Sequence, residues 1–166
     1  MEALHEIETE GTAQLVQTRV PNQFVTFTCG DRAFGIDIMC VREIRSWSPT
    51  TELPAQPFGA KGVLDIRGSI VQVYDLESML GGMGGGGQSG QVVLVVSLRN
   101  QDVGLMVDTV SDIIFAQPED LRPVPASKGG HGAGPVSGLV KNEDRLIAIL
   151  DLAALFPAES GAESFM

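Results

Sequence analysis

Apolar residues along this chain recur in short runs rich in β-branched and aromatic side chains, broken by glycine-bearing or polar turns. That is the patterning of β-strands rather than of amphipathic helices. Phe24 to Thr28 and Ala33 to Ile36 read as two strands joined across Gly30-Asp31, a pair suited to a tight hairpin turn. Val92 to Leu98 and Val103 to Val107 do the same across Arg99-Asn100-Gln101-Asp102. Val63 to Ile66 and Ile70 to Tyr74 flank a turn at Arg67-Gly68. Asp75 precedes Leu76 to Leu80, and Asp151 precedes Leu152 to Phe156, so each aspartate is predicted to cap a short helix. Pro157 is placed to stop the second helix.

The pattern is written twice. At a constant offset of 69, Gly35 meets Gly104, Ile36 meets Leu105, Ile38 meets Val107, Val41 meets Val110, Glu43 meets Asp112 and Ile44 meets Ile113. A later block repeats at offset 76, where Gly62-Val63-Leu64 meets Gly138-Leu139-Val140, Ile70-Val71 meets Leu146-Ile147 and Asp75-Leu76 meets Asp151-Leu152. The larger second offset fits a longer loop around Pro123 to Pro135. Short strands at this spacing suggest closed sheets, which leave no edges to aggregate. The expectation is two small barrels in tandem, about five strands each. An acidic leader over 1–22 precedes a folded region over 23–156, with a tail over 157–166. The barrel halves are expected at roughly 23–80 and 91–156. Between them lies a glycine-rich linker over 81–90, because so many glycines cannot offset their backbone entropy in a helix or strand.

Composition narrows the function more than the fold. The 166 residues are 43% hydrophobic and 19% charged, a globular balance. A net charge of −10 disfavours phosphate backbones and anionic membranes, both of which are held by Lys and Arg. The first ten residues carry Glu2, Glu6, Glu8 and Glu10 and lack a secretory pattern, and the uncharged stretch Ser78 to Leu98 is half glycine-rich linker, so no membrane insertion is expected. Cys29 and Cys40 make no disulfide framework, and no Cys or His cluster has metal-ligand spacing. His5 and His131 lie outside periodic elements, and Asp37, Asp65, Asp75, Asp108 and Asp151 fall mostly at strand ends, where caps and turns explain them. No catalytic, cofactor or metal residue is therefore named, and the chain is expected to work by contact rather than as an enzyme.

The stretch Phe34-Gly35-Ile36-Asp37-Ile38-Met39-Cys40-Val41-Arg42-Glu43-Ile44-Arg45 resembles the CheW family. The likeness continues through Lys61-Gly62-Val63-Leu64-Asp65-Ile66-Arg67-Gly68-Ser69-Ile70-Val71-Gln72-Val73-Tyr74-Asp75-Leu76 and resumes at Val103-Gly104-Leu105-Met106-Val107-Asp108-Thr109-Val110-Ser111-Asp112 and Ser137-Gly138-Leu139-Val140. It implies two Src-homology-3-like barrels packed around a shared core, mainly all-β with short capping helices. It implies a non-catalytic chemotaxis adaptor that couples the cytoplasmic hairpin tips of chemoreceptors (methyl-accepting chemotaxis proteins) to the regulatory domain of the histidine kinase CheA. Such an adaptor is cytoplasmic, is recruited to receptor arrays, and self-associates or joins rings there. A CheW-like scaffold of a non-chemotactic pathway, such as pilus motility or a developmental kinase, is one alternative. A small-ligand-binding barrel with its site between the halves is another.

The resemblance maps receptor contacts onto Val25, Ile38, Val41 and Val110, and array function onto Glu43 and Arg67. Val41 and Val110, related by the repeat, can face a docked helix from equivalent places, or all four apolar residues can simply be core. Arg67 stands in a turn within reach of a pairing with Glu43. Gly62 and Gly138 are assigned to backbone geometry ahead of a strand. Trp47, in a loop, is either a partner anchor or a packing residue.

Overall fold

The computed structural model describes residues 22–81, 92–125 and 134–156. Most of the leader (1–21), most of the linker (82–90) with residue 91, the part of the expected long loop over 126–133 with His131, and the tail from 157, with Pro157 and its helix stop, lie outside the described residues. The chain runs β1 (Gln23–Cys29), β2 (Arg32–Asp37), a 3-10 turn (Ile38–Cys40), β3 (Val41–Ser46), β4 (Ala60–Ile66), β5 (Ser69–Asp75) and the one-turn helix α1 (Leu76–Met79). It resumes with β6 (Val92–Leu98), β7 (Gln101–Val107), β8 (Thr109–Phe115), a 3-10 turn (Pro118–Asp120), β9 (Leu121–Arg122), β10 (Val136–Asn142), β11 (Arg145–Leu150) and the helix α2 (Leu152–Leu155).

The expected turns and caps are where the residue types demanded them. Gly30-Asp31 has φ of 61° and 69°, and Arg67-Gly68 has 53° and 87°, the two successive left-handed residues of a tight hairpin turn. The third turn is tighter than expected, closing on Arg99-Asn100 alone with φ of 51° and 67°, and Gln101 and Asp102 belong to β7. Asp75 accepts from the Glu77 N–H at 3.2 Å and Asp151 from the Ala153 N–H at 3.0 Å, capping both helices.

Two sheets form, and their membership corrects the simple picture of one barrel per half. One sheet has six strands in the order β8-β1-β2-β11-β10-β9, the other five in the order β3-β6-β7-β5-β4. The hairpin β1–β2 therefore inserts between strands of the second half, and β6–β7 inserts between strands of the first. Each barrel is one half's later strands, three from the first half and four from the second, wrapped around the other half's hairpin. Register repeats both sequence offsets: Val25 pairs with Ile113 as Leu94 pairs with Ile44, and Phe34 pairs in parallel with Ala148 as Val103 pairs with Gln72. A bulge falls at the same place in each copy, beside Thr26/Phe27 on one side and Val41/Glu43 on the other.

Three cores result from this exchange. Phe24, Ile114, Ala116, Val140, Ile147 and Ile149 fill one barrel. Leu64, Ile66, Val71, Val73, Val93, Val95 and Met106 fill the other. A third cluster joins them, taking Phe27, Phe34 and Ile36 from one sheet, Leu94, Val96 and Leu105 from the other, and Leu76, Leu152 and Leu155 from the helices. Alternate residues of β6 thus point into different cores, which is why Val92 to Val96 reads as an unbroken apolar run, and β1, with Thr26 among its buried residues, is likewise buried on both faces.

Candidate functional site

The chain passes between the two barrels where β2, in the first sheet, gives way to β3, in the second. It makes the symmetric passage where β7 gives way to β8. Val41 is the first residue of β3 and Val110 the second of β8. Both valines are half-buried and pack on the shared central cluster. Each presents part of its side chain outward beside the seam between barrels. The first passage is tightened by Asp37, whose carboxylate accepts from the Met39 N–H at 3.0 Å and caps the 3-10 turn. That turn holds Ile38 half-buried and leaves Met39 69% exposed. At the second passage the residue equivalent to Met39 is Asp108, whose carboxylate turns inward and accepts from the Gly30 N–H at 3.0 Å, so only the first lip carries an exposed apolar side chain there.

Val25 is placed beneath this surface rather than on it. It is 3% exposed, paired across β1 with Ile36 and Ile113, and has no side-chain area to offer a partner. Of the four apolar candidates, Ile38, Val41 and Val110 reach the surface and Val25 supports it.

Glu43 and Arg67 are brought together. Arg67, at the β4–β5 turn, donates from Nη1 to Glu43 Oε1 at 2.6 Å, and Arg45 donates from Nη1 to Glu43 Oε2 at 3.1 Å. Burial pushes the Glu43 carboxyl up, but the hydrogen bonds and charges of Arg67 and Arg45 together outweigh it and hold the group below its ordinary range. A depressed folded-state pKa contributes stability in full above the unfolded value and loses it as pH falls through the folded one. Carbon-detected titration of Glu43 is therefore expected to show a midpoint below 4.5, and Arg67→Ala is expected to move it up. An unchanged midpoint in that variant would detach Arg67 from the network. Arg45 is the member that the sequence reading missed; it lies two residues from Glu43, on the same face of β3.

Outside this network the chemistry is quiet. The Cys29 thiol is buried, and burial, with Asp108, Glu77 and Asp75 around it, pushes it up to about 12, the opposite of an activated nucleophile. Among the described residues no three His, Cys, Asp or Glu side chains converge as metal ligands, and no helix is long and apolar enough to cross a membrane. Apolar side chains do remain exposed outside the seam, some in repeat-related pairs: Ile44 with Ile113, at 49% each, and Ile70 with Leu146, at 67% and 60%. Phe115 is 69% exposed on the outer face of β8, and Trp47 is 42% exposed just past β3. The matching offsets were the signal that could have found these pairs, because exposure, like sequence, repeats between the copies.

Comparison with known proteins gives a consistent result. The CheW-like domain family matches residues 23–160. A protein named chemotaxis protein CheW from Rhizobium meliloti (strain 1021) is 33% identical over 137 residues, 82% of this chain and 88% of its own. One named probable chemotaxis protein CheW from Rhizobium etli is 34% identical over 134 residues, 81% of this chain and 86% of its own. Among solved structures, the scaffolding protein TtCheW from Thermoanaerobacter tengcongensis superposes with a TM-score of 0.71 at 29% identity, covering 84% of this chain and 95% of that one.

Proposed function

The chain belongs to the CheW family of chemotaxis scaffolds, and we propose that it couples the cytoplasmic hairpin tips of chemoreceptors to the regulatory domain of the kinase CheA. The observation that carries the proposal is the seam itself. Two half-buried valines, Val41 and Val110, stand at the two points where the chain crosses between barrels, and Ile38 and Met39 extend the apolar lip on one side. A receptor tip is a helical hairpin, and a helix docks by laying an apolar stripe into such a groove. Val25 then acts from below, setting the height of β1 and its neighbour β8.

The Arg67–Glu43–Arg45 network lies on β3 and the facing β4–β5 turn. Arg67 is 76% exposed, so its ion pair with Glu43 adds little stability, and Arg45, 33% exposed, is the more enclosed partner. Their use is orientation: Glu43 follows Val41 by two residues, so the network fixes the strand that carries the groove valine. Kinase contact falls to surfaces away from the seam, and recruitment to a receptor array follows from holding both partners at once. Nothing in this role requires a reaction.

Titration of isotopically labelled protein with a receptor-tip hairpin, and separately with the kinase regulatory domain, tests the reading. The two partners are expected to shift different surfaces, with Ile38, Val41 and Val110 in the receptor set. Val41→Ser with Val110→Ser is expected to weaken the hairpin about tenfold and leave the kinase domain unaffected. Overlapping shifts from both partners, or a hairpin that ignores the double variant, would remove the seam from the model.

A further inference from the structure

Away from the seam, where both short helices end, a cleft of about 600 Å³ opens between the loop at Pro57-Phe58, the β6–β7 turn and α2. Its inner wall is aromatic. Tyr74 and Phe156 meet edge to face with ring centroids 4.8 Å apart, and burial pushes the Tyr74 phenol up. Phe58, 77% exposed, stands at the rim with its ring unburied by any neighbour. Leu98, Val103 and Leu155 complete the apolar lining. The volume lies within the range of small-molecule sites, which combine apolar walls with a few fixed polar groups.

The fixed polar group here is Arg99. It occupies the left-handed first position of the β6–β7 turn, at φ 51°, and its Nη2 donates to the Ala153 carbonyl of α2 at 3.2 Å. That bond uses one of five guanidinium N–H donors, and among the described residues no carboxylate pairs with the others. The repeat shows how unusual this is for the chain. The equivalent turn in the other copy carries Gly30, and the residue equivalent to Ala153 is Glu77. There a carboxylate lies over the turn, with Glu77 Oε2 2.7 Å from the place a Cβ on Gly30 would take. One copy thus supplies its own acid at this position, whereas the other holds a tethered cation beside an open aromatic cleft, in a protein of net charge −10.

We propose that this cleft binds a small carboxylic acid with an aromatic or aliphatic body, the carboxylate on Arg99 and the body between Phe58, Tyr74 and Phe156. A guanidinium held by one bond keeps its planar fork for a carboxylate, and charge-assisted bonds of that kind favour the ionised acid over its neutral amide. The site is independent of the receptor groove, sharing no residue with it.

The test uses the full chain, isotopically labelled, with 4-phenylbutyrate as the probe and 4-phenylbutanamide as its neutral counterpart. The acid is expected to shift Tyr74, Leu98, Leu155 and Phe156 with a Kd of roughly 1–5 mM, the range for a ligand of this size. The amide is expected to bind about tenfold more weakly. Arg99→Gln is expected to abolish the preference between the two, and Phe58→Ser to weaken both equally. Equal binding of acid and amide to the unaltered protein, shifts confined to other surfaces, or no shift at about 10 mM would each overturn the site.

Discussion

Separated at the linker, the two halves of this chain are expected to be unfolded alone and folded together. A polypeptide of residues 22–81 retains β1 to β5, but its β1–β2 hairpin has lost both neighbours, β8 and β11, and its β3 and β5 have lost β6 and β7. The complementary polypeptide of residues 92–156 is left with the mirror-image gaps. The central cluster is also divided, with Phe27, Phe34, Ile36 and Leu76 on one side and Leu94, Val96, Leu105, Leu150, Leu152 and Leu155 on the other. A chain of about sixty residues buries barely enough surface to fold even with a complete core. Mixed, the halves restore every pairing. With a folding free energy of about 5–15 kcal/mol and a tether worth a millimolar effective concentration, they should associate with a Kd of about a micromolar or tighter. Amide spectra of each half alone and of the mixture decide the matter. A dispersed spectrum from either half alone would mean that barrels form within a half and that the exchange is not what holds the molecule together.

That exchange is the part of the fold the sequence conceals. Repeat offsets of 69 and 76 reveal two copies, and the structure's pairings obey them, since Val25–Ile113 and Leu94–Ile44 are the same pair twice. They do not reveal which copy's hairpin enters which barrel, because equivalent strands carry equivalent patterns and either partner satisfies them. Turn chemistry is local, so Gly30-Asp31 and the caps Asp75 and Asp151 were legible. The edge strand β3 was less so: Val41-Arg42-Glu43-Ile44-Arg45-Ser46 alternates half-buried with exposed positions, and the charges obscure it as a strand. Val25 misleads for the opposite reason. Its strand is buried on both faces, so alternation has nothing to report and a valine below the surface looks like one upon it. The Glu43–Arg67 pair could be anticipated from the resemblance. Arg45 as a third member follows only once Val41–Ser46 is read as a strand, which sets it two residues from Glu43 on the same face.

Gly62→Ala is expected to be the most damaging single methyl added to this protein. Gly62 sits at the bulge between β4 and β5 with φ at 140°, a conformation that an L side chain rarely adopts and that costs about 1–3 kcal/mol when forced. A Cβ there would lie 2.5 Å from the Thr51 carbonyl oxygen and 2.9 Å from the Thr50 side chain. Backbone cannot yield as a side-chain tip can. Relief requires separating Thr51 from Val63, whose two reciprocal hydrogen bonds of 2.9 and 2.8 Å contribute about 0.5–1.5 kcal/mol each. The combined loss is about 3–5 kcal/mol, a large share of a typical domain's stability. Gly138 is the repeat-related control. It lies at the matching bulge, but its φ is not in the left-handed region, and a Cβ would stand 3.3 Å from the Arg122 carbonyl. Gly138→Ala is therefore expected to lose about 1 kcal/mol or less. Urea unfolding of the two variants should separate them by at least about 2 kcal/mol, and equal losses would show that the backbone angle at Gly62 is not what glycine is there to supply. The consequence reaches the candidate site as well. The Gly62 bulge sets the register in which β4 delivers Arg67 to Glu43, and Gln72 Nε2 donates to the Gly62 carbonyl at 2.9 Å to hold it. In whatever fraction of Gly62→Ala remains folded, the Glu43 carboxyl should titrate closer to 4.5 than in the unaltered protein, because a shifted hairpin takes its guanidinium away.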